Sequence, residues 1–256
     1  MKKNIFSFIR QHVDATKRRV LGTITNVATS HPVIALTFDD GPHPLFTPKL
    51  LKVLMRHHAQ ATFFMLGEYA KKYPKIVESV ARDGHAIGNH SWDHPSFPLI
   101  SSRERRRQIK SCEHVLIPQR LRIFRPPFGH QNMNTRLDLF LLGYQCIGWD
   151  IDANDWLDHD ARFMADQIEK QMKPGSIILF HDALFTVIEE RYENREQTID
   201  AIDMLLGDIG DLFRFITVPE LLQHGQPHRV ILDSQGESDF LKRLRKPGDK
   251  SWRYIR

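Results

Sequence analysis

Between residues 33 and 222, short apolar runs alternate with longer stretches in which apolar positions recur at helical spacing. The runs Val33–Phe38, Ala61–Leu66, His85–Gly88, Ile123–Arg125, Tyr144–Trp149, Ser176–Phe180 and Phe213–Thr217 predict strands. The stretches near 47–58, 70–83, 101–117, 134–142, 160–172 and 196–209 predict helices. Start and stop signals sharpen several boundaries. Thr47-Pro48 reads as a cap followed by a proline in the first turn, and Ser101 with Glu104 fits a capping box. Lys173-Pro174-Gly175 stops one helix ahead of the run Ile177–Phe180.

Parallel strands need crossovers, so this alternation predicts an α/β fold with a parallel sheet covered by helices. About seven such units suit a (β/α) barrel better than an open sheet. No linker rich in Gly, Ser or Pro interrupts the region and no fixed-period repeat is present, so it reads as a single domain. In such barrels chemistry gathers at the carboxyl ends of the strands.

Composition changes this picture little, but charge divides the chain. Hydrophobic residues at 41% and charged residues at 26% are ordinary for a globular protein. The net charge of +5 is unevenly spread, with +5 in residues 1–30, +4 in residues 229–256 and −4 between them. The expected organisation is therefore a basic N-terminal segment (1–30), a catalytic domain (31–228) and a basic C-terminal tail (229–256). Ile5, Ile9 and Val13 could line a weak amphipathic helix, so weak contact of the basic tails with an anionic membrane surface is one reading. Solvated chain ends explain the same charge more simply. No nucleic-acid motif accompanies it, so no nucleic-acid partner is expected. No stretch approaches the ~20 apolar residues of a membrane span. The opening residues have a signal peptide's lysines without its apolar middle, and the expected compartment is the cytoplasm. The two cysteines, Cys112 and Cys146, lack metal-ligand spacing.

Chemistry-bearing residues fall where strands are predicted to end. The first run leads into Asp39-Asp40-Gly41-Pro42, a tight turn able to aim two carboxylates at one point, though also a plain turn sequence. The third leads to His90 and His94, whose i, i+4 spacing on one face of a helical turn would let both imidazoles reach one ion. His57-His58 reads as a solvated pair, and His85 as a satisfied histidine of the core or rim. Arg125-Pro126-Pro127-Phe128-Gly129 is a stiff loop that could aim a backbone N–H at a developing oxyanion. Trp149-Asp150-Ile151-Asp152-Ala153-Asn154-Asp155-Trp156 is acidic and aromatic, and Leu179-Phe180-His181 places an imidazole past a buried run.

In this order, TFDDGP, HSWDH, RPPFG, DANDW and LFH resemble the motifs of the polysaccharide deacetylases of carbohydrate esterase family 4, which share the homology domain of the nodulation chitooligosaccharide deacetylase. The likeness spans roughly residues 33–222 and includes the flanking words Ala61–Phe64 and Gly84–His90. It implies a distorted (β/α) barrel and one divalent metal ion, usually zinc. Asp40, His90 and His94 would hold the metal, and Asp39 would be the general base. Arg125 would orient Asp39 and keep it ionised. The backbone N–H of Phe128 would meet the oxyanion. His181 would be the general acid, with Asp155 raising its pKa. Trp156 and Leu179 would wall the pocket for the acetyl methyl.

Two departures stand out. Phe128 occupies a position where the family most often has tyrosine, and the segment 182–195 is longer than the usual loop after the histidine. Tyr192, Trp92 and Phe97 could stack on sugar rings or simply pack. The expected activity is metal-dependent removal of N-acetyl groups from a glycan containing N-acetylglucosamine, of chitooligosaccharide or peptidoglycan type. An O-acetyl polysaccharide esterase and a catalytically silent sugar-binding protein are the alternatives, and the latter would not need base, acid and both orienting partners.

Overall fold

A computed structural model describes residues 14–157, 160–186 and 193–234. The spacing at Ile5, Ile9 and Val13, Tyr192 and the rest of the C-terminal tail lie outside these residues.

The strands are β1 (Thr23–Ala28), β2 (Val33–Asp39), β3 (Ala61–Met65), β4 (Ala86–Asn89), β5 (Arg120–Phe124), β6 (Gln145–Cys146), β7 (Ile151–Asp152), β8 (Ile177–His181), β9 (Arg214–Phe215) and β10 (Gln226–Val230). The helices are α1 (Phe46–Arg56), α2 (Gly67–Lys72), α3 (Pro74–Arg82), α4 (Ser102–Val115), α5 (Met133–Leu141), α6 (Ala161–Gln171), α7 (Glu196–Ile209) and α8 (Val218–Leu221). Seven parallel strands run in the order β6-β5-β4-β3-β2-β8-β7 and curl into a half-barrel, with β9 beside the start of β2. The distorted barrel expected from the sequence is this structure, in one domain.

β2 lies at the centre and every one of its residues is buried, as a strand covered on both faces must be. Phe38 packs between Phe63, at 5.0 Å, and Phe180, at 6.0 Å between ring centroids. Removing such a ring costs roughly 3–5 kcal/mol. Because β2 pairs with β8 in register, Asp39 and His181 sit side by side where the two strands end.

The strands do not close on themselves, since β6 and β7 terminate the sheet. β1 lies along the seam. It bridges Ile147 through Ile24, Gly148 N–H donates to the Ile24 carbonyl at 2.7 Å, and Val27 N–H donates to the Gly175 carbonyl at 2.9 Å. Gly175 has φ +85°, and a Cβ there would stand 1.8 Å from the Val27 oxygen, so only glycine admits this approach. β1 also pairs antiparallel with β10. Ordered structure thus extends to both sides of the 31–228 span, and Ile24 and Val27 are core residues.

Three local expectations are corrected. The single helix expected over 70–83 is two, α2 and α3, because Pro74 cannot continue the hydrogen-bond ladder and starts a new helix. Thr47 is not a cap: α1 begins at Phe46, and the Thr47 hydroxyl accepts from His43 N–H and donates to Asp182. His57 is not merely solvated, since its Nε2 meets Asp203 Oδ1 at 2.6 Å. Ser101 does cap α4, accepting from Glu104 N–H. Cys112 and Cys146 are buried core residues, and His85, also buried, accepts the Ala61 N–H through Nδ1. No helix among the described residues is long and apolar enough to cross a membrane.

Candidate metal and acid–base site

The carboxyl ends of β2, β4, β5 and β8 and the loop after β7 converge on a cavity of about 170 Å³. Its wall includes Asp39, Asp40, His90, His94, Phe128, Trp156, Leu179 and His181. Arg125 and Asp155 lie behind the wall, bonded to Asp39 and His181 respectively. All ten residues singled out in the sequence are therefore brought together.

Asp40, His90 and His94 offer ligand atoms that all lie within 4.8 Å of one another. Asp40 Oδ1 is 3.3 Å from His90 Nε2 and 3.1 Å from His94 Nε2. Yet Oδ1 is buried without a hydrogen-bond partner, so the three atoms face one another across a point and do not satisfy each other. One carboxylate oxygen and two imidazole nitrogens in that arrangement fit a divalent cation with open positions. Around them, other contacts fix each ring and carboxylate. His90 Nδ1 lies 2.8 Å from the Arg125 carbonyl, to which it can only donate, so in the neutral ring the lone pair of Nε2 faces Asp40. Asp40 Oδ2 accepts the Phe185 N–H at 2.9 Å, leaving Oδ1 to the histidines. Burial opposes the charge on Asp40, but His94 and His90 outweigh it and hold the carboxyl well below its ordinary value. Burial also pulls His94 down against the attraction of Asp40, which keeps its ring neutral and able to ligate.

The expected helical turn at His90–His94 is absent. The segment is an irregular loop in which Ser91 (φ 75°) and His94 (φ 62°) take left-handed backbone, and that bend swings the second imidazole toward the first. Asp40, Phe128 and Asn154 share this uncommon conformation, with φ of 70°, 58° and 51°. Left-handed backbone at non-glycine residues is costly and concentrates at functional sites.

Asp39 and His181 are held differently. Arg125, wholly buried, donates to Asp39 Oδ1 and to the Thr37 hydroxyl at 2.8 Å each, and through its other Nη to the Gly148 carbonyl. Its guanidinium lies 4.3 Å from the Phe64 ring centroid. Burial lowers the Arg125 pKa and Asp39 opposes that drop. His181 Nδ1 donates to Asp155 Oδ1 at 2.8 Å, while Asp155 Oδ2 accepts the His181 N–H. Burial disfavours the imidazolium, but Asp155, with help from Asp40 and Asp39, raises His181 to about 9. Arg195 secures the Asp155 carbonyl at 2.7 Å and Thr198 reaches its carboxylate at 3.3 Å.

Several contributors were not visible in the sequence. Leu184, Phe185 and Thr186, from the start of the long loop after His181, roof the cavity, and the Phe185 ring lies 4.8 Å from that of His94. Asp182 is buried against Gly41, where a Cβ would stand 2.3 Å from its carboxylate. Burial, together with Asp40 and Asp39, pushes Asp182 up to about 7 despite the Thr47 hydrogen bond. Arg195 and Thr198 are separated from Asp155 by 40 and 43 positions, so no local pattern announces them. Phe97 is fully buried and Trp92 packs against Gly67, so both serve packing.

Comparison with known proteins agrees with this geometry. The polysaccharide deacetylase family profile matches residues 26–147. A chitooligosaccharide deacetylase of Azorhizobium caulinodans is 38% identical over 167 residues, 64% of this chain and 80% of that protein. A peptidoglycan-N-acetylglucosamine deacetylase of Bacillus cereus is 35% identical over 196 residues, 74% of this chain and 68% of that protein. Among solved structures, the peptidoglycan deacetylase PdaC of Bacillus subtilis superposes with a TM-score of 0.66 at 31% identity, covering 77% of this chain and 93% of that one. A peptidoglycan N-acetylglucosamine deacetylase complexed with a hydroxamate (4-naphthalen-1-yl-N-oxidanyl-benzamide) gives a TM-score of 0.71 at 31% identity over 80% and 94% of the two chains. With this fold, this convergence of strand ends and this degree of identity, the chain belongs to the polysaccharide deacetylases of carbohydrate esterase family 4.

Proposed function

We propose that this protein is a metal-dependent deacetylase that hydrolyses the N-acetyl groups of N-acetylglucosamine units in a chitooligosaccharide or peptidoglycan-type glycan. One observation carries the reading. A single cavity is lined by an Asp-His-His cluster, a carboxylate paired with arginine, and an imidazole raised to about 9. Asp40, His90 and His94 hold the ion, which we take to be zinc from the mixed oxygen and nitrogen donors. When bound, it supplies a Lewis acid that acidifies water and polarises a carbonyl.

The chain's own groups do the rest. Asp39, kept anionic by the buried Arg125, takes a proton from water as its oxygen bonds to the acetyl carbon. The Phe128 N–H faces the oxygen of that carbonyl, where negative charge develops. His181, charged beside Asp155, then gives its proton to the amide nitrogen as the C–N bond breaks, releasing acetate and a free amine. An amide nitrogen leaves poorly unless protonated, so base and acid must be separate groups. Trp156 and Leu179 confine the acetyl methyl.

Acetate release from N-acetylated chitooligosaccharides, peptidoglycan fragments and acetylated xylan, with and without chelator, tests this. Chelator-sensitive release from the N-acetylated substrates is expected. Release from xylan alone makes the protein an O-acetyl esterase, and no release from any substrate makes it a silent binding protein.

A further inference from the structure

A second cavity, of about 270 Å³, opens at the amino end of β6, whereas the catalytic loops leave the carboxyl ends of the strands. Arg136 from α5 and Arg229 from β10 both line it. Arg136 is only 2% exposed, yet its Nε is buried without a hydrogen-bond partner, and one Nη donates to the Leu232 carbonyl. Arg229, half-buried, donates to the Gly22 carbonyl at 3.1 Å. Neither guanidinium is in an ion pair with a carboxylate among the described residues; Asp233 acts on Arg136 only through space. Cys146, which also lines the cavity, supplies no counter-charge, because burial pushes its thiol up to about 11.

Burying a guanidinium beside another, without a carboxylate, is unfavourable unless something else neutralises them. Two forked cations suit the charge of about −1.5 to −2 and the several acceptor oxygens of a phosphoryl group. The remainder of the wall is apolar and open: Val20 is 46% exposed and Phe140 52% exposed. A wholly polar anion would leave those side chains in water, while one esterified to an apolar alcohol would cover them.

We infer that the cavity at the amino end of β6 is a phosphate-monoester site, with Arg136 and Arg229 binding the phosphoryl oxygens and Val20 and Phe140 the apolar group. The shared chemistry admits two sources, a soluble monoester or the headgroup of a phospholipid. The site is separate from the deacetylation machinery and does not depend on that reading.

Calorimetric titration of the metal-loaded full chain with inorganic phosphate and phenyl phosphate, at constant ionic strength, tests it. Phenyl phosphate is expected to bind more tightly than phosphate. Arg136→Gln and Arg229→Gln are each expected to weaken it at least about tenfold, the effect of losing a charge-assisted contact. Phe140→Glu, on an exposed position, places a carboxylate at the rim and should weaken binding similarly, which keeps the test decisive should Arg136→Gln fail to fold. Arg229→Gln should leave acetate release unchanged. Co-sedimentation with phosphatidylcholine vesicles containing phosphatidic acid, but not with phosphatidylcholine alone, would assign the site to lipid if both arginine variants abolish it. Phenyl phosphate binding without vesicle retention assigns it to a soluble monoester. Binding equal in the wild type and in both Arg229→Gln and Phe140→Glu, or no binding of any probe, overturns the proposal.

Discussion

The two sides of the catalytic cavity hold their charges by opposite means. On the β2 side a carboxylate, Asp39, is the last residue of a buried strand, and its partner Arg125 directly follows β5 and is wholly buried. On the β8 side the titrating group is His181, and its partner Asp155 sits in an irregular loop that follows Asn154, whose φ is 51°. Strand register therefore places the first pair, whereas contacts from the start of α7 and the residue before it, Thr198 and Arg195, place the second. The partner on the β2 side keeps its charge at every working pH, since arginine scarcely titrates. The charge on the β8 side is conditional. The contrast teaches that the base is built into the barrel while the acid is tuned from outside it.

Substitutions can break this contrast in order of expected effect. Asp39→Asn should lower kcat by about 10²–10⁴, the worth of a positioned proton acceptor, with bound metal unchanged by elemental analysis. Activity close to wild type would remove Asp39 as the base. His94→Ala should abolish both acetate release and stoichiometric metal. An unaltered metal content would remove His94 from the ligand set.

Asp155→Asn acts on the conditional side. His181 works protonated, so with its pKa raised to about 9 activity should persist through neutral pH and fall as pH rises past that value. Without Asp155 the remaining dominant influence is burial, which lowers the pKa, so the alkaline limb of kcat should move to lower pH. An unmoved limb would mean another group sets it. The same linkage acts on stability. Since the folded-state pKa lies above the ordinary 6.5, the stabilisation from His181 is fully present below 6.5 and lost as pH rises through about 9. Denaturant midpoints measured across that window check the sign. The smallest effect belongs to Thr198→Val, which deletes one 3.3 Å hydrogen bond to Asp155. About 1 kcal/mol is at stake, a fall in kcat of roughly fivefold or less with a slight acidic shift of the limb.

Much of this was legible along the chain because it is local. Apolar runs bounded by turns marked seven strands, helical spacing marked the crossovers, and the chemical residues stood where runs ended. Other features escaped for physical reasons. β7 and β9 are two residues long, too short to carry a period, and β1 is defined by the seam it fills. The pair His90 and His94 was visible, but the left-handed backbone that brings the rings together was not, because neither Ser91 nor His94 is a residue that signals it. Phe185 reaches Asp40 through a backbone N–H, a group every non-proline residue has, so side-chain identity says nothing of it.

By itself the sequence determined the α/β alternation, the strand ends that bear acids and imidazoles, and the family, since each rests on residue type and short-range spacing. Only the tertiary structure decided that the sheet stays open, that Arg195 and Thr198 brace Asp155, that Asp182 lies beneath Gly41, and that Arg136 and Arg229 share a cavity. Those features join positions tens to more than a hundred residues apart. Such contacts form when packing removes water from between elements, and no local pattern along the chain records which elements will meet.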